Sequence, residues 1–327
     1  MANVILTNVC NLSCPYCFAG ALRSLDRKFI SRETFDRAAA FLLKSHSNEI
    51  GLIGGEPTLH PEFGDILRKS ADLFGRVFVY TNGVYLEHFF PDALRDNICY
   101  LVNVNSSQVI GKKYFYRIEH MLDTAAQSDM IAQFALGVNV YEPDQNFDDV
   151  LHLCETLGMN GLRLSVVVPD NAGEERRNWF LRLKPALMRL YGELSRRNIV
   201  PKYDCNIVPP CVFTQQELDF IRTLPGNSSD IARLTGEMAV CRPVVDIYPD
   251  LTVARCFGMS RYRNHHIDEF NSLDDIIRFF LYEIDGRLLY ADSDKQCQEC
   301  YRRKTLQCSG GCLTFLGGKD ICTDSGS

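Results

Sequence analysis

The sequence predicts an α/β fold built on a parallel sheet. Short apolar segments alternate with helical patterns through the first two hundred residues, and six such strand–helix units follow one another at roughly 25–35-residue spacing. Units of this kind pair their strands in parallel through right-handed crossovers. The pattern fits either a partly closed barrel or an open, doubly wound sheet, and both place the ligand site at the carboxyl ends of the strands.

Each predicted strand is a short apolar segment that ends at a polar, glycine-rich or proline-containing stretch. The six segments cover residues 4–7, 50–53, 77–80, 98–104, 134–140 and 162–168. Ser31 is placed to cap the first helix while Ile30 packs onto Phe35, and Gly158 ends a later helix. Polar segments at corresponding strand ends are expected to form one site, and they cover residues 10–17, 54–57, 81–83 and 103–106.

The rest of the chain is predicted to hold a helix, a proline-rich bridge and a cysteine-rich segment. The helix covers 174–198 and is expected to be interrupted at Pro185, because proline lacks a backbone N–H. Ser272 is expected to cap one further helix in the cysteine-rich segment. The predicted domains are a core over 1–200, the bridge over 201–240 and a small domain over 241–327.

The composition is that of an ordinary globular chain and excludes several classes of function. The 327 residues include 35 basic and 41 acidic ones, and the net charge of −6 argues against a nucleic-acid partner. No apolar run reaches the roughly 18 residues that span a bilayer. The amino terminus also lacks the basic and apolar regions of a secretory signal. We therefore expect a cytoplasmic protein with no membrane partner.

The number of cysteines is the unusual feature, with 14 in the chain. In a reducing compartment we expect thiols that ligate metal rather than disulfides. Cys10, Cys14 and Cys17 offer three thiolates on one short loop, enough to hold three corners of a cubane iron–sulfur cluster and leave one iron open to a small molecule. The alternative is a zinc site completed by a distant histidine, although zinc sites usually show paired C-x2-C spacings.

Two motifs together resemble the signatures of the radical S-adenosylmethionine (SAM) family. The first is Cys10-x3-Cys14-x2-Cys17 with Tyr16 before the third cysteine, and the second is Gly54-Gly55-Glu56-Pro57 at the end of the next strand. The resemblance implies a partial (β/α)6 barrel, a [4Fe-4S] cluster on the three cysteines and SAM at its open iron. It implies that one electron, from a flavodoxin- or ferredoxin-type donor, converts SAM into a radical that removes a hydrogen atom from the substrate.

The resemblance also implies which residues contact SAM. Gly54 and Gly55 let the backbone approach its methionine end, Glu56 pairs with the methionyl ammonium and Tyr16 leans on adenine. The other expected contacts are Pro57, Asn82, Asn103, Asn105, Asn139 and Arg163. Asn103-Val-Asn105-Ser106 stands where relatives often carry Ser-x-Asp-Gly. Arg163 has an alternative interpretation as a solvated charge at a strand end.

The last quarter of the chain carries a second group of thiols. Its spacing is Cys241-x14-Cys256 followed by Cys297-x2-Cys300-x7-Cys308-x3-Cys312-x9-Cys322. Taken alone, the C-x2-C pair also fits zinc. Together with the amino-terminal motifs, the pattern resembles the SPASM extension of radical SAM enzymes, which carries two auxiliary iron–sulfur clusters. The resemblance implies an outer cluster on Cys297, Cys300, Cys308 and Cys322, and an inner cluster on Cys241, Cys256 and Cys312.

The chain departs from the SPASM pattern at three points. Seven residues separate Cys300 from Cys308 where the family usually has five, and Leu251 stands where a glycine commonly precedes Cys256. No cysteine lies between 241 and 256 to complete the inner cluster. That cluster is therefore expected either to keep an open iron or to take a further ligand, Cys205 or Cys211.

SPASM relatives include anaerobic sulfatase-maturating and peptide-maturing enzymes, so the resemblance implies an oxidoreductase that modifies a ribosomally made peptide. The alternatives are dehydrogenation or epimerisation of a small molecule such as an aminoglycoside-type intermediate, and a non-enzymatic metal scaffold or electron carrier. Only nine residues precede Cys10, so a separate leader-peptide-binding protein is expected for a peptide substrate. Asp170, Asp204 and Asp246 are acids in plausible regions, and no catalytic residue is chosen among them.

Overall fold

The computed structural model describes residues 2–17, 29–90, 95–168, 176–205, 208–237, 240–262, 265–292 and 294–316. The predicted ligand Cys322 and the candidate acid Asp170 lie outside these ranges. By its internal contacts the chain divides into two units. The first comprises Met1–Asn139, Asn146–Arg163 and Val244–Ile276, and the second comprises Val140–Gln145, Leu164–Pro243 and Ile277–Ser327.

The first unit is built on parallel strands that follow one another in chain order. They are β1 Ala2–Thr7, β2 Glu49–Gly54, β3 Arg76–Thr81, β4 Ile98–Asn103, β5 Phe134–Val140 and β6 Gly161–Val166. Each strand lies beside its successor, and the pairs from β1 to β5 are parallel. Because the order does not reverse between β1 and β6, the predicted α/β fold is confirmed in its barrel form rather than as a doubly wound sheet.

Helices connect these strands where the apolar periodicity predicts them. They are α1 Arg32–Lys44, α2 Phe63–Leu73, α3 Ser107–Ile110, α4 Lys112–Gln127 and α5 Asp148–Thr156. Ser31 caps α1 as predicted, since its hydroxyl accepts the Thr34 N–H at 3.1 Å, and Ile30 and Phe35 are both buried. This local chemistry fixes where α1 begins and turns its apolar stripe toward the sheet.

The predicted interruption at Pro185 is wrong. One helix, α6 Arg176–Arg196, runs straight through the proline. Proline removes one backbone hydrogen bond at a cost of about 3 kcal/mol, but α6 buries a long apolar face, and each buried large side chain contributes about 1.5–3 kcal/mol. The buried apolar residues of this face include Trp179, Phe180, Leu183, Leu187, Leu190, Tyr191 and Leu194.

The segment predicted as a bridge also contains regular structure. Its first residues form β7 Val200–Cys205, which lies beside the end of β6. Two short helices follow, α7 Gln215–Ile221 and α8 Ser228–Leu234. Each begins with a reciprocal capping box, formed by Thr214 with Glu217 and by Asn227 with Asp230.

The segment expected to open the cysteine-rich domain instead extends the sheet of the first unit. β8 Val245–Ile247 pairs in parallel with β1, and β9 Thr252–Ala254 and β10 His265–His266 follow in antiparallel order. The predicted boundary at 241 therefore differs from the observed grouping. A three-residue strand carries too little periodicity to be predicted, and its buried partner β1 lies far away in sequence.

A tight turn between β8 and β9 holds Leu251, which stands where the SPASM pattern commonly has glycine, in a glycine-like conformation. Leu251 has a φ of +61°, in the left-handed region that glycine adopts without strain, and its N–H donates to the Tyr248 carbonyl at 2.8 Å. The leucine side chain is 2 % exposed. Its burial, at about 2 kcal/mol, offsets a backbone cost of about 1–2 kcal/mol.

We expect Leu251→Ala to destabilise the chain more than Leu251→Gly does. Both variants lose the buried side chain, but alanine keeps the left-handed backbone cost of about 1 kcal/mol and glycine removes it. Urea denaturation of the two variants measures the difference in free energy of unfolding. At Leu42 in α1 the order is expected to reverse, since glycine is about 1 kcal/mol worse than alanine inside a helix. The same order at both positions would contradict the strain argument.

The remaining described elements follow α9 Leu273–Phe279, which Ser272 caps through the Asp275 N–H at 3.2 Å. They are a π-helical turn at Phe280–Asp285, α10 Gly286–Tyr290, α11 Lys295–Glu299, α12 Tyr301–Lys304 and a 3₁₀ turn at Leu313–Phe315. Within the described ranges, no helix combines the length and the apolar character needed to cross a membrane.

Candidate metal and cofactor site

The amino-terminal cysteines lie on the loop that follows β1. Cys10, Cys14 and Cys17 are all half-buried thiols. The loop is held by its own backbone: the Leu12 N–H points at Cys10 Sγ at 3.4 Å, and the Cys17 N–H donates to the Cys14 carbonyl at 3.2 Å. The predicted thiol group therefore stands at the carboxyl end of a central strand, where parallel α/β folds bind their ligands.

Two side-chain amides from neighbouring strand ends approach these thiols. Asn82, after β3, places Nδ2 3.9 Å from Cys10 Sγ and donates to Asn11 Oδ1 at 2.8 Å. Asn105, after β4, places Nδ2 3.5 Å from Cys14 Sγ. N–H donors that face a sulfur favour its thiolate form, which is the form that ligates metal. The structure thus brings two of the predicted polar residues to the cysteine loop.

The Gly54-Gly55 segment is joined to the same loop through its backbone. The Gly55 N–H donates to the Thr7 carbonyl at 2.7 Å, and the Glu56 N–H donates to the Val9 carbonyl at 2.8 Å. A Cβ at Gly54 would lie 2.4 Å from Thr7 O, and one at Gly55 would lie 2.4 Å from Val9 O. Glycine is required at both positions because the backbone of this segment packs directly against the backbone of Thr7 and Val9. The predicted close approach of the two glycines to the methionine end of SAM stays a prediction.

Glu56 is 1 % exposed and joins the loops after β2 and β3. Its Oε1 accepts from the hydroxyls of Thr58 and Thr81 at 2.7 Å each and from the Thr58 N–H at 3.2 Å, while Oε2 accepts the Asn82 N–H at 2.7 Å. Burial raises the pKa of this carboxyl despite the hydrogen bonds that oppose the shift. Its pairing with an ammonium stays a prediction, and Thr58 and Thr81 are partners that sequence reasoning missed.

We expect Glu56→Ala to lower the free energy of unfolding by about 3 kcal/mol and to weaken iron retention. The change leaves the Thr81 hydroxyl and the Asn82 N–H without their acceptor, and a buried unsatisfied donor costs about 1–3 kcal/mol. Denaturant melts and iron analysis measure the two effects. Glu62→Ala is the matched control, because Glu62 is exposed and makes no side-chain cap bond to α2. Equal losses in the two variants would contradict the role of Glu56.

The other predicted contacts cluster around β4, β5 and β6. A Cβ at Gly137 would lie 3.2 Å from Asn103 Oδ1 and 3.6 Å from Arg163 Cβ, so these two side chains flank one glycine. The Arg163 guanidinium lies 5.7 Å from the centre of the Tyr80 ring, a cation–π distance. Asn139 is half-buried on β5. Arg163 is therefore packed on an aromatic ring rather than simply solvated.

Tyr16 and Pro57 complete the predicted set. Tyr16 is half-buried on the cysteine loop, and Pro57 is buried at the start of a 3₁₀ turn that Glu56 caps. All the predicted SAM contacts thus belong to the strands of the first unit or to the loops after them. Their contacts with SAM itself remain predictions.

Two buried polar atoms show that the cysteine loop fits a polar ligand. Asn105 Oδ1 and Asn11 Nδ2 are buried and have no hydrogen-bond partner within the described part of the chain. One needs a donor and the other an acceptor, and both residues belong to the surroundings of the Cys10 and Cys14 thiols. An iron–sulfur cluster with SAM would bring both kinds of group. In the described ranges, no three His, Cys, Asp or Glu side chains are grouped to hold a single metal ion.

The carboxy-terminal thiols of the second unit are packed against charged and backbone donors. Cys297 Sγ accepts from Arg176 Nη2 at 3.1 Å, and Cys308 Sγ accepts the Gly310 N–H at 3.2 Å. The Cys241 N–H donates to Ser309 Oγ at 3.1 Å. Burial raises the pKa of the Cys297 thiol to about 11, although the Arg176 charge works in the opposite direction. Arg176 and Ser309 are neighbours that no sequence motif indicates.

Cys205 and Cys211 are the two candidates for an extra ligand of the inner cluster. Cys211 is an exposed residue, and partial desolvation together with the neighbouring Cys308 raises the pKa of its thiol against the opposing charge of Arg177. Cys300 acts in the same direction as Cys308, so Cys211 lies within electrostatic reach of the central motif. Cys205 ends β7. Cys256 follows β9 in the first unit, whereas Cys241 and Cys312 belong to the second. The ligand sets of both auxiliary clusters stay predictions.

Comparison with known proteins adds a family and a fold. The model of the Radical SAM superfamily matches residues 4–178. The chain is 35 % identical over 91 residues to a 7,8-dihydro-6-hydroxymethylpterin dimethyltransferase of Methanocaldococcus jannaschii. The matched residues make up 27 % of this chain and 18 % of that protein. It is 23 % identical over 188 residues to a probable GTP 3',8-cyclase of the same organism, 56 % of this chain and 63 % of that protein. The chain therefore spans less than two thirds of either relative.

Solved structures share the fold over nearly the whole chain. The crystal structure of Streptococcus suis SuiB bound to S-adenosylmethionine superposes with a TM-score of 0.63 and 14 % identity, covering 98 % of this chain and 74 % of SuiB. Native anSMEcpe with bound AdoMet superposes with a TM-score of 0.63 and 15 % identity, covering 95 % of this chain and 88 % of that protein. At such identities the likeness shows the fold alone.

Proposed function

The chain belongs to the radical SAM superfamily, and from that premise we propose that it cleaves SAM reductively and oxidises a ribosomally made peptide. The observation that carries the first part is the junction of three strand ends around the Cys10–Cys17 loop. Backbone bonds from Gly55 and Glu56 fix this loop against β2, and the Asn82 and Asn105 amides reach its sulfurs. Such fixed geometry is what a reactive cofactor requires from its protein.

The residues of the chain bind and orient the cofactors in this proposal. When bound, the cluster and SAM supply the electron and the 5′-deoxyadenosyl radical that removes a hydrogen atom. Cys10, Cys14 and Cys17 hold the cluster, and Asn82 and Asn105 stabilise the thiolates by donating to Cys10 and Cys14. The buried Glu56 locks the loop after β3, so that Asn82 keeps its place beside Cys10. The low-potential electron donor is of flavodoxin or ferredoxin type.

Auxiliary clusters are the reason to propose an oxidative reaction. The thiols at 241, 256, 297, 300, 308, 312 and 322 exceed what one four-coordinate site can use. We place two auxiliary clusters of SPASM type on them, and the inner one would accept the electron that the substrate radical gives up as it loses a proton to solvent or a nearby base. A peptide substrate is supported by SuiB, which has been crystallised with its precursor peptide SuiA. That structure superposes on this chain with a TM-score of 0.60 and shares its fold. A separate leader-binding protein would present that peptide.

A small-molecule substrate is the second candidate, and the curated relatives favour it. Several of them are GTP 3',8-cyclases, and one of these covers 56 % of the chain. The two candidates differ in the molecule that loses the hydrogen atom, since dehydrogenation of a small molecule would use the auxiliary clusters as electron acceptors as well. Incubation with SAM, dithionite and either candidate peptides or nucleotides, followed by mass spectrometry, distinguishes them. A product that is two hydrogens lighter, on a peptide, supports the first.

The experiment that tests the proposed function is anaerobic analysis of iron, sulfide and zinc per chain. It compares the wild type with the Cys10/Cys14/Cys17→Ala triple variant. We expect about 12 irons to fall to about 8, with complete loss of SAM cleavage. About 4 irons with zinc in the carboxy-terminal part would retain the radical enzyme and remove the auxiliary clusters. Zinc throughout, with no iron after reconstitution, would leave a non-enzymatic scaffold.

A further inference from the structure

Arg176 is a buried cation among the carboxy-terminal thiols, and sequence reasoning gave it no role. Its side chain is 8 % exposed at the first residue of α6. Nη2 donates to Asp292 at 3.1 Å and to Cys297 Sγ at 3.1 Å, and it lies 3.5 Å from Asp294. A guanidinium that is bonded to a cysteine sulfur inside the protein is more than an ordinary ion pair, because the acceptor is a predicted metal ligand.

The hydrogen bonds among the described residues leave the other terminal nitrogen of Arg176 unused. Nη1 is buried and finds no hydrogen-bond partner within the described ranges. An unsatisfied buried donor of a charged group costs about 1–3 kcal/mol or more. A structural salt bridge to Asp292 accounts for the burial of Nη2, but it does not offset the cost of burying Nη1. The donor therefore requires an acceptor outside the described residues, and a cluster bound beside Cys297 would supply one.

The backbone between Cys308 and Cys312 is shaped around the same guanidinium. Gly310 and Gly311 have φ values of +78° and +99°. A Cβ at Gly310 would lie 3.0 Å from the Arg176 guanidinium, and one at Gly311 would lie 2.9 Å from the Phe180 ring. The two glycines thus let the cysteine-bearing backbone press directly onto α6, which brings Nη1 to the segment that carries Cys308 and Cys312.

We propose that Arg176 is the buried hydrogen-bond donor to the outer auxiliary cluster, with Nη2 on the Cys297 sulfur and Nη1 on the cluster. This inference rests on the auxiliary clusters of the proposed function. Hydrogen bonds to the sulfurs and a nearby positive charge favour the more negative, reduced state of an iron–sulfur cluster. Arg176 therefore raises the reduction potential of the outer cluster. The difference in potential between the outer and inner clusters decides which of them holds the accepted electron.

The neighbouring charges keep this arrangement close to neutral. Asp292 also accepts from Arg303 Nη2 at 3.4 Å, and Arg303 bonds to the carbonyls of Leu289 and Ser309. Two arginines thus face two aspartates, Asp292 and Asp294. Because the aspartates balance the arginines, removal of Arg176 leaves one uncompensated negative charge beside Cys297.

The test is an EPR-monitored redox titration of the reconstituted chain. The Cys10/Cys14/Cys17→Ala background is used so that auxiliary signals alone remain. Arg176→Gln and Arg176→Lys are compared with the background protein and with Arg189→Gln. Arg189 lies on the same helix, but its Nη2 donates to the carbonyls of Pro143 and Gln145 rather than to a cysteine sulfur. We expect Arg176→Gln to move the midpoint of one of two signals to lower potential, Arg176→Lys to move it less, and Arg189→Gln to leave both unchanged.

Each other outcome is decisive. Selective loss of about four irons in Arg176→Gln, with the second signal and the circular dichroism intact, also supports the proposal. Full iron with unchanged midpoints would overturn it. The proposal would also be overturned if Arg176→Gln lost both clusters and its fold while Arg176→Lys folded and kept the midpoint potentials of the background protein. Arg176 would then be only a structural ion pair. Absence of auxiliary iron in the background protein would refute the proposed clusters themselves, and it is measured before any Arg176 variant.

Discussion

Alanine at Gly55 will reduce the rate of 5′-deoxyadenosine formation by about 100-fold or more while the chain still folds. The new Cβ would lie 2.4 Å from Val9 O and 2.7 Å from Val9 C, and these are backbone atoms that cannot rotate away. The cysteine loop must therefore shift by roughly 1 Å, and a displacement of that size at a reacting centre costs about 10² in rate. Chromatographic assay of 5′-deoxyadenosine in the presence of SAM and dithionite measures the effect.

A glycine that meets no other atoms is the matched control for Gly55. Gly192 lies inside α6, and a Cβ there would have nothing within 4 Å. Gly192→Ala is expected to raise the free energy of unfolding by about 0.5–1 kcal/mol, because alanine loses less backbone entropy in a helix. Its SAM cleavage should equal that of the wild type. Wild-type cleavage in Gly55→Ala would show that the cysteine loop tolerates displacement and that the contact with Val9 is unimportant.

Periodic and local features of the fold could be predicted from sequence because their causes lie close together in the chain. The six strands and the cap at Ser31 depend on neighbours within a few residues. The pairing of β8 with β1 depends instead on residues more than two hundred positions apart, and β8 is too short to show a pattern. Pro185 gave the wrong expectation because a local penalty was weighed without the tertiary burial of α6.

The candidate site divides in the same way. Motif spacing predicts the cysteines as cluster ligands, and the strand-end rule correctly placed Asn82 and Asn105 beside Cys10 and Cys14. The partners of Glu56 and the contact between Arg176 and Cys297 could not be predicted, because each joins segments with no shared motif. Position 251 is an intermediate case: the missing glycine was visible, but only the φ of +61° shows that leucine adopts the glycine-like conformation.

The buried acid Asp246 is expected to make the chain less stable as the pH rises from about 4 to about 7. Burial raises the pKa of this carboxyl from 3.8 to about 7, although Asn3 Nδ2, at 2.7 Å, and the Phe257 N–H favour the ionised form. The folded chain therefore binds the proton more tightly than the unfolded chain does. Protonated Asp246 makes its full contribution to the free energy of unfolding below about pH 4. This contribution is lost as the pH rises to about 7, a decrease of about 4 kcal/mol.

Asp246→Asn should remove this pH dependence and stabilise the chain at pH 8. The Oδ1 atom of Asn3 is buried and has no partner within the described ranges, so the amide introduced at position 246 gains an acceptor that the carboxylate cannot use. Urea denaturation at pH 5 and pH 8, compared with the wild type, measures the difference. Asp123→Asn on the exposed side of α4 controls for the loss of one surface charge. If the free energy of unfolding of Asp246→Asn depended on pH as in the wild type, another group would titrate between pH 5 and pH 8. Asp246 would then be ionised in its bond with Asn3 over that whole range.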